Sequence, residues 1–192
     1  LMATCRDIIN SAMRKLRQLS SGDVATSEEA DDGLVALQAM YLSWVGGLFG
    51  RLTDVLTEEN YTANEWERIR KDAACTVTIP TVVQDEATGD DRAPYDLALV
   101  EVIYPTDETR QVSLYDANSG AWVRLDSLTL DSDAPLAGRG ENGLASCLAV
   151  YWAEEFGSDL IGPMTNRNAA NFRLQLSYKL GSVRRPNRAT YY

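Results

Sequence analysis

The chain has 192 residues, 45% of them hydrophobic, with 28 acidic against 18 basic side chains, a net charge of −10 and no histidine. That length supports one sizeable core, or a core with a small satellite module. The missing histidine excludes Ser-His-Asp and Cys-His nucleophile activation, histidine-ligated metals and histidine general bases, and leaves carboxylate or lysine chemistry.

In chain order, Thr4 with Asp7 three residues on makes a capping-box pattern. Ile8, Ile9, Ala12, Met13, Leu16 and Leu19 then recur at helical spacing, and Ser20-Ser21-Gly22-Asp23 closes this first helix. Thr26 and Glu29 repeat the capping pattern at the start of a second helix. Its apolar stripe is Ala30, Leu34, Leu37, Tyr41, Trp44 and Leu48, and Gly46-Gly47 and Gly50 mark its end. The short polar link between the two helices predicts an antiparallel hairpin.

Beyond Arg51 the pattern turns to β. Strands are expected at Thr76–Pro80, Leu97–Tyr104, Arg110–Tyr115 and Trp122–Leu130, which are rich in β-branched and aromatic residues and separated by turn clusters. Arg68–Asp72 reads as helix or strand, with strand preferred and paired with Thr76–Ile79 as a hairpin, and residues 84–94 form an acidic loop. Helix returns near Asn142, with Leu144, Leu148, Tyr151, Trp152 and Phe156 on one face and Gly157 as its stop. After a loop at Gly162-Pro163, a fourth helix is expected over Asn168–Leu180, ended by Gly181. Residues 182–192 have no apolar period and read as extended.

The expected architecture is therefore α+β. A four-helix body is made of two helical hairpins, one over 1–51 and one over 135–181. An acidic antiparallel β module over 52–134 is inserted between them, and a basic extended tail over 182–192 follows. Charge is segregated along this plan. Residues 52–134 carry six basic and eighteen acidic side chains, whereas Leu160 to Tyr192 hold six basic and no acidic ones. An acidic middle and a basic end suit electrostatic pairing between neighbouring copies; the plainer reading is a solvated acidic face with a loose basic end.

Candidate chemistry is sparse. Gly138-Arg139-Gly140-Glu141-Asn142-Gly143 matches GxGxxG in form. Asp131-Ser132-Asp133-Ala134-Pro135 parts it from the last strand, however, and no parallel strand follows, so it reads as a helix start and not a dinucleotide loop. Asp131, Asp133 and Glu141 hint at a calcium loop, but Pro135 and Asn142 fall where an EF-hand needs ligands. The acid pairs Asp31-Asp32, Glu58-Glu59, Asp90-Asp91 and Glu154-Glu155 are sequence neighbours, which do not face each other across a cleft as a glycosidase requires. Cys5, Cys75 and Cys147 lack metal-type spacing and read as buried hydrophobes. No catalytic residue, cofactor or metal is expected. Trp44, Trp66, Trp122 and Trp152 are spread through different elements, and the acidic middle repels phosphates, so sequence-specific nucleic-acid binding is not expected. There is no membrane-length apolar run and no apolar signal core in the first residues, so a cytoplasm-like compartment is expected. In the tail, Arg184, Arg185 and Arg188 with Tyr191 and Tyr192 point to a protein partner, since tyrosine is enriched at interfaces.

Three stretches carry a resemblance. The first is Ile8-Ile9-Asn10-Ser11-Ala12-Met13-Arg14-Lys15-Leu16, and the second is Gly33-Leu34-Val35-Ala36-Leu37-Gln38-Ala39-Met40 running into Trp44. The third comprises Ala134-Pro135-Leu136, Leu144-Ala145-Ser146-Cys147-Leu148-Ala149 and Glu154-Glu155-Phe156-Gly157. Together they resemble head-to-tail adaptor (connector) proteins of tailed phages. The resemblance covers 1–51 and 135–192, and the β module is larger than in the simplest members. It implies a structural virion protein, not an enzyme, forming a homo-oligomeric ring, usually dodecameric, beneath the portal. It implies contacts with the portal protein and a downstream tail or neck protein, and double-stranded DNA passing through the lumen without sequence-specific binding. The tail arginines and tyrosines would be its docking residues. The competing readings are a small acidic carboxylate- or metal-dependent enzyme, and another neck ring protein such as a tail terminator.

Overall fold

A computed structural model describes residues 3–45, 48, 54–56, 83–84, 91–92, 96–103, 110–118, 120–156 and 161–182. Among these, the fold is α+β, with four α-helices and a small sheet. The helices are α1 (Cys5–Lys15), α2 (Ser27–Ser43), α3 (Glu141–Phe156) and α4 (Pro163–Ser182). The strands are β1 (Asp54–Leu56), β2 (Val83–Gln84), β3 (Asp91–Arg92), β4 (Leu99–Ile103), β5 (Arg110–Asp116) and β6 (Ala121–Arg124).

Both predicted capping boxes form. The Thr4 hydroxyl accepts from the Asp7 amide while the Asp7 carboxylate accepts from the Thr4 amide, and Thr26 and Glu29 repeat the exchange. Each box satisfies two of the amides a helix start leaves open. The next two amides of α1 go elsewhere: Cys5 N–H donates to the Ser132 carbonyl at 2.9 Å and Arg6 N–H to the Leu130 carbonyl at 3.0 Å. The α1 end differs from expectation. The helix stops at Lys15, not at Ser20, because Arg17 adopts the left-handed conformation (φ 60°). Gln18 N–H then donates to Met13 O and Arg17 N–H to Arg14 O, a Schellman closure with arginine where glycine is usual. Leu19 therefore lies beyond the helix, partly buried against the core.

Helix α4 begins five residues before the expected Asn168 and runs past Gly181. Pro163 occupies its first position, where a missing N–H costs nothing, and the Gly162 carbonyl accepts from Thr165 and Asn166. Residues 163–167 hide this start because they are largely exposed and carry no apolar period. The expected stop at Gly157, the strands at 68–72 and 76–80, and the tail residues Arg184, Arg185, Arg188, Tyr191 and Tyr192 lie outside the described residues.

The sheet has the order β1-β4-β5-β6. β4, β5 and β6 are antiparallel, with Leu99 opposite Leu114 and Tyr115 opposite Trp122, and β1 adds a parallel edge with Val55 opposite Glu101. The sequence gives no sign of β1. Residues 84–94 are not all loop as expected, since β2 and β3 pair as a separate two-stranded ladder with Val83 opposite Arg92 and Gln84 opposite Asp91. The expected strand Trp122–Leu130 is cut short at Arg124. Leu125 still donates to the Val112 carbonyl, but the chain then turns away and supplies the carbonyls that cap α1. Leu125 and Leu128 are buried there in the common core, which explains an apolar run without strand geometry.

One hydrophobic cluster joins all these parts. α3 packs against α1, α2 and α4, and Leu97, Leu99, Leu114 and Leu125 from the sheet side belong to the same buried set. Two glycines allow the close approach. A Cβ on Gly33 of α2 would lie 2.5 Å from Ile9 and 2.9 Å from Trp152, and one on Gly143 of α3 would lie 2.7–2.8 Å from the Cβ, Cγ and Cδ2 of Phe172 in α4. The Phe172 Cβ cannot swing aside, so a methyl group there must separate the helices. Gly143→Ala should therefore lower stability by about 1–2 kcal/mol, overpacking outweighing the better helix propensity of alanine. Chemical denaturation of the two proteins measures the difference.

Candidate functional site

Three charged groups are brought together that the sequence does not link. The Arg139 guanidinium donates to both carboxylate oxygens of Asp96, and its Nη2 also reaches Asp116 Oδ1 at 2.8 Å. The Arg139 side chain is 6% exposed and that of Asp116 8%. Burial by itself would lower the arginine's pKa, but the hydrogen bonds and charges of the two aspartates outweigh it and hold the guanidinium above its ordinary value. The aspartates also organise backbone, Asp96 accepting from the Ala117 amide and Asp116 from that of Asn118.

The neighbouring backbone explains why such a clamp is needed. Leu97 and Leu136, both buried, have positive φ (62° and 67°), a conformation that disfavours L side chains. Each sits beside a clamp residue, Leu97 following Asp96 and Leu136 opening the 3-10 turn Ala137–Arg139. Strain of this kind persists where surrounding contacts over-determine it. The clamp is thus internal architecture that locks sheet to helices. Arg139→Met should cost about 3 kcal/mol or more, because two carboxylates lose their buried counter-charge; thermal unfolding followed by circular dichroism tests this.

The Gly138–Gly143 run serves packing. Gly140 has φ 152°, and its carbonyl accepts the first α3 bond from Leu144. Gly143 makes room for Phe172. Two hollows of about 230 and 220 Å³ flank Phe172, lined by the amides of Asn118, Asn142, Asn168, Asn171 and Gln175. Their only charged lining residue is Arg139, already held by its aspartates. The candidate calcium residues are spent differently. Asp131 is exposed near Arg6 at 3.8 Å, and Asp133 bridges to Thr4 through backbone. Among the described residues no group of three His, Cys, Asp or Glu side chains is arranged to hold a metal ion. Likewise, among them no helix is long and apolar enough to cross a membrane.

Two cysteines are buried and reduced. Burial pushes the Cys147 thiol up to about 11, against a small opposing pull from Arg173. Burial also raises Cys5, with a hydrogen bond to Ser132 working the other way. Both therefore remain protonated and inert at pH 8, since the thiolate is the nucleophile. Maleimide labelling of these two sites at pH 8, read by peptide mass spectrometry, should be at least about a hundredfold slower in buffer than in urea.

Among the described residues a groove of about 370 Å³ lies where the C-terminal ends of α2 and α3 meet α4. Met40 and Trp44 come from α2, Cys147, Val150, Tyr151, Glu154 and Glu155 from α3, and Arg173 from α4. Trp44 stacks edge-on against buried Tyr41, whose hydroxyl donates to the Pro135 carbonyl at 2.6 Å. Burial keeps that phenol far from ionising. The indole of Trp152 donates to Glu155 at 2.7 Å, and Tyr151 is 41% exposed. An amphipathic groove rimmed by carboxylates is suited to binding a polypeptide with cationic and apolar groups. The acid pair Glu154-Glu155 was visible in the sequence, but its meeting with Trp44 was not.

No known protein family and no curated protein matches this sequence.

Proposed function

We propose that this chain is a structural virion subunit, a head-to-tail adaptor of a tailed phage that assembles as a ring beneath the portal. One observation carries the reading: the separated segments that resemble adaptor proteins pack as a single body. Ile8, Ile9, Ala12, Met13 and Leu16 meet Leu37, Met40 and Trp44, and both sets join Ala134, Leu136, Leu144, Cys147 and Leu148 in one buried cluster.

Several of the polar and nucleophilic side chains among the described residues are engaged in holding that body together. Asp96, Asp116 and Arg139 bind one another, and Cys5 and Cys147 are buried thiols. The net charge of −10 suits a wall along which DNA slides without sticking. The partners in this reading are other copies of the chain (usually twelve in the family resembled), the portal protein, a tail or neck protein, and duplex DNA in the lumen. Arg184, Arg185, Arg188, Tyr191 and Tyr192 dock the tail on the portal or a neighbouring subunit.

Light scattering and electron microscopy of the purified chain, alone and mixed with candidate portal rings, test this. Rings stacked on a portal are the expected result. A chain that ignores every portal and binds a metal or small ligand instead would overturn the reading.

A further inference from the structure

The groove between α2, α3 and α4 has an electrostatic character that specifies its occupant. A helix C-terminus presents free carbonyls and about half a negative charge, which a basic side chain in the last turn normally offsets. Neither α2 nor α3 has one. Instead α3 ends on exposed Glu154 and Glu155. Two helix ends with no basic residue in their last turn and two carboxylates thus converge beside Trp44 and Tyr151, with Arg173 the sole basic lining residue. Such a site favours guanidinium groups, which pair with carboxylates in planar fashion and lie well on aromatic faces.

The complementary segment is in the same sequence. Arg184, Arg185 and Arg188 precede Tyr191 and Tyr192 in a stretch that has no acidic residue from Leu160 onward. We propose that residues 183–192 of one copy dock in this groove of a second copy. The choice of a second copy as the source of the groove rests on the ring reading above.

Geometry disfavours a tail folding back on its own groove. The Gly143–Phe172 approach and the Cys147 thiol donating to the Ala169 carbonyl set α3 and α4 antiparallel. α4 therefore runs away from the end of α3 that carries the glutamates. At about 1.5 Å rise per residue, Ser182 lies roughly 30 Å along the helix axes from Glu154. Full extension carries Arg184 and Arg185 no more than about 10 Å past Ser182, and Arg188 about 20 Å. Arg184 and Arg185 of one copy thus fall short of its own carboxylates even with both side chains extended, and Arg188 meets them only with chain and side chains fully stretched. A tail given to one neighbour and a groove offered to the other form a heterologous contact, the kind that closes rings when the rotation permits.

A charge-swap experiment on the full chain tests the pairing by sedimentation velocity, with circular dichroism melts to establish folding. The groove variant is Glu154→Arg with Glu155→Arg; Glu154→Arg alone spares the Trp152 hydrogen bond. The tail variant is Arg184→Glu, Arg185→Glu and Arg188→Glu. The wild type should self-associate in a salt-sensitive manner. Each variant alone should associate at least about tenfold more weakly, and an equimolar mixture of the two should regain association. A wild type that stays monomeric to its solubility limit overturns the proposal, as does a folded groove variant that associates like wild type, or a mixture that regains nothing. Portal-bound rings that survive the groove reversal would overturn this pairing while leaving the adaptor reading intact. A charge swap that works in a chain bound by no portal would do the reverse.

Discussion

Helix α3 is covered by three other helices, and that burial sets the terms for the rest of the molecule. Leu144, Ala145, Cys147, Leu148, Ala149, Trp152 and Ala153 are buried, leaving its two ends and Tyr151 to solvent. A helix so enclosed needs small residues where its neighbours come closest. It has alanine at 145, 149 and 153 and glycine at 143, while α2 contributes Gly33 at the point where Ile9 and Trp152 meet. Interiors at native density have no slack to absorb a misplaced methyl group. The positions of α1, α2 and α4 are thus fixed relative to one another through a common partner. The groove at the ends of α2 and α3 is a product of that arrangement, formed by rigid helix ends and not by loops.

The attachment of the sheet depends on a different force. Leu97 and Leu136 bury their side chains only by adopting a backbone conformation that costs them energy, and the Asp96–Arg139–Asp116 cluster holds both in place. Buried ion pairs contribute little net stability compared with apolar packing, but they are demanding about geometry. Here that demand fixes where β4 begins, where β5 ends and how the 3-10 turn enters α3.

Features written in local spacing could be read directly. The two capping boxes, the apolar stripes of α1 and α2, the Leu144, Leu148 and Trp152 part of the α3 stripe and the core of the β4–β5 pair needed only neighbours a few residues apart; Tyr151 and Phe156, read on the same α3 face, are exposed, and α2 ends at Ser43, before the Leu48 expected to close its stripe. Long-range features could not. Arg139 looked like part of a glycine loop because its partners stand 43 and 23 residues away. Leu125, Leu128 and Leu130 read as strand because their apolar pattern reflects burial in the common core, full for the first two and partial for the third, and past Leu125 no ladder continues. The start of α4 was hidden since an exposed first turn has no period to detect. The groove was half legible: the acid pair could be seen, but its convergence with the end of α2 depends on tertiary packing.

The backbone caps on α1 also bear on the order in which this chain can fold during synthesis. α1 has 11 residues, too short to hold together alone in water. Two of its first-turn amides are satisfied by carbonyls at Leu130 and Ser132, and its main packing partner is α3. A ribosome adding about 5–20 residues per second reaches that region roughly 6–25 seconds after α1 is made. The amino-terminal hairpin is thus born with its local capping box but without those two carbonyls or α3. The chain must be kept from premature association through Ile8, Ile9 and Met13 until its second half emerges, and the body then closes in a step that joins both ends of the sequence.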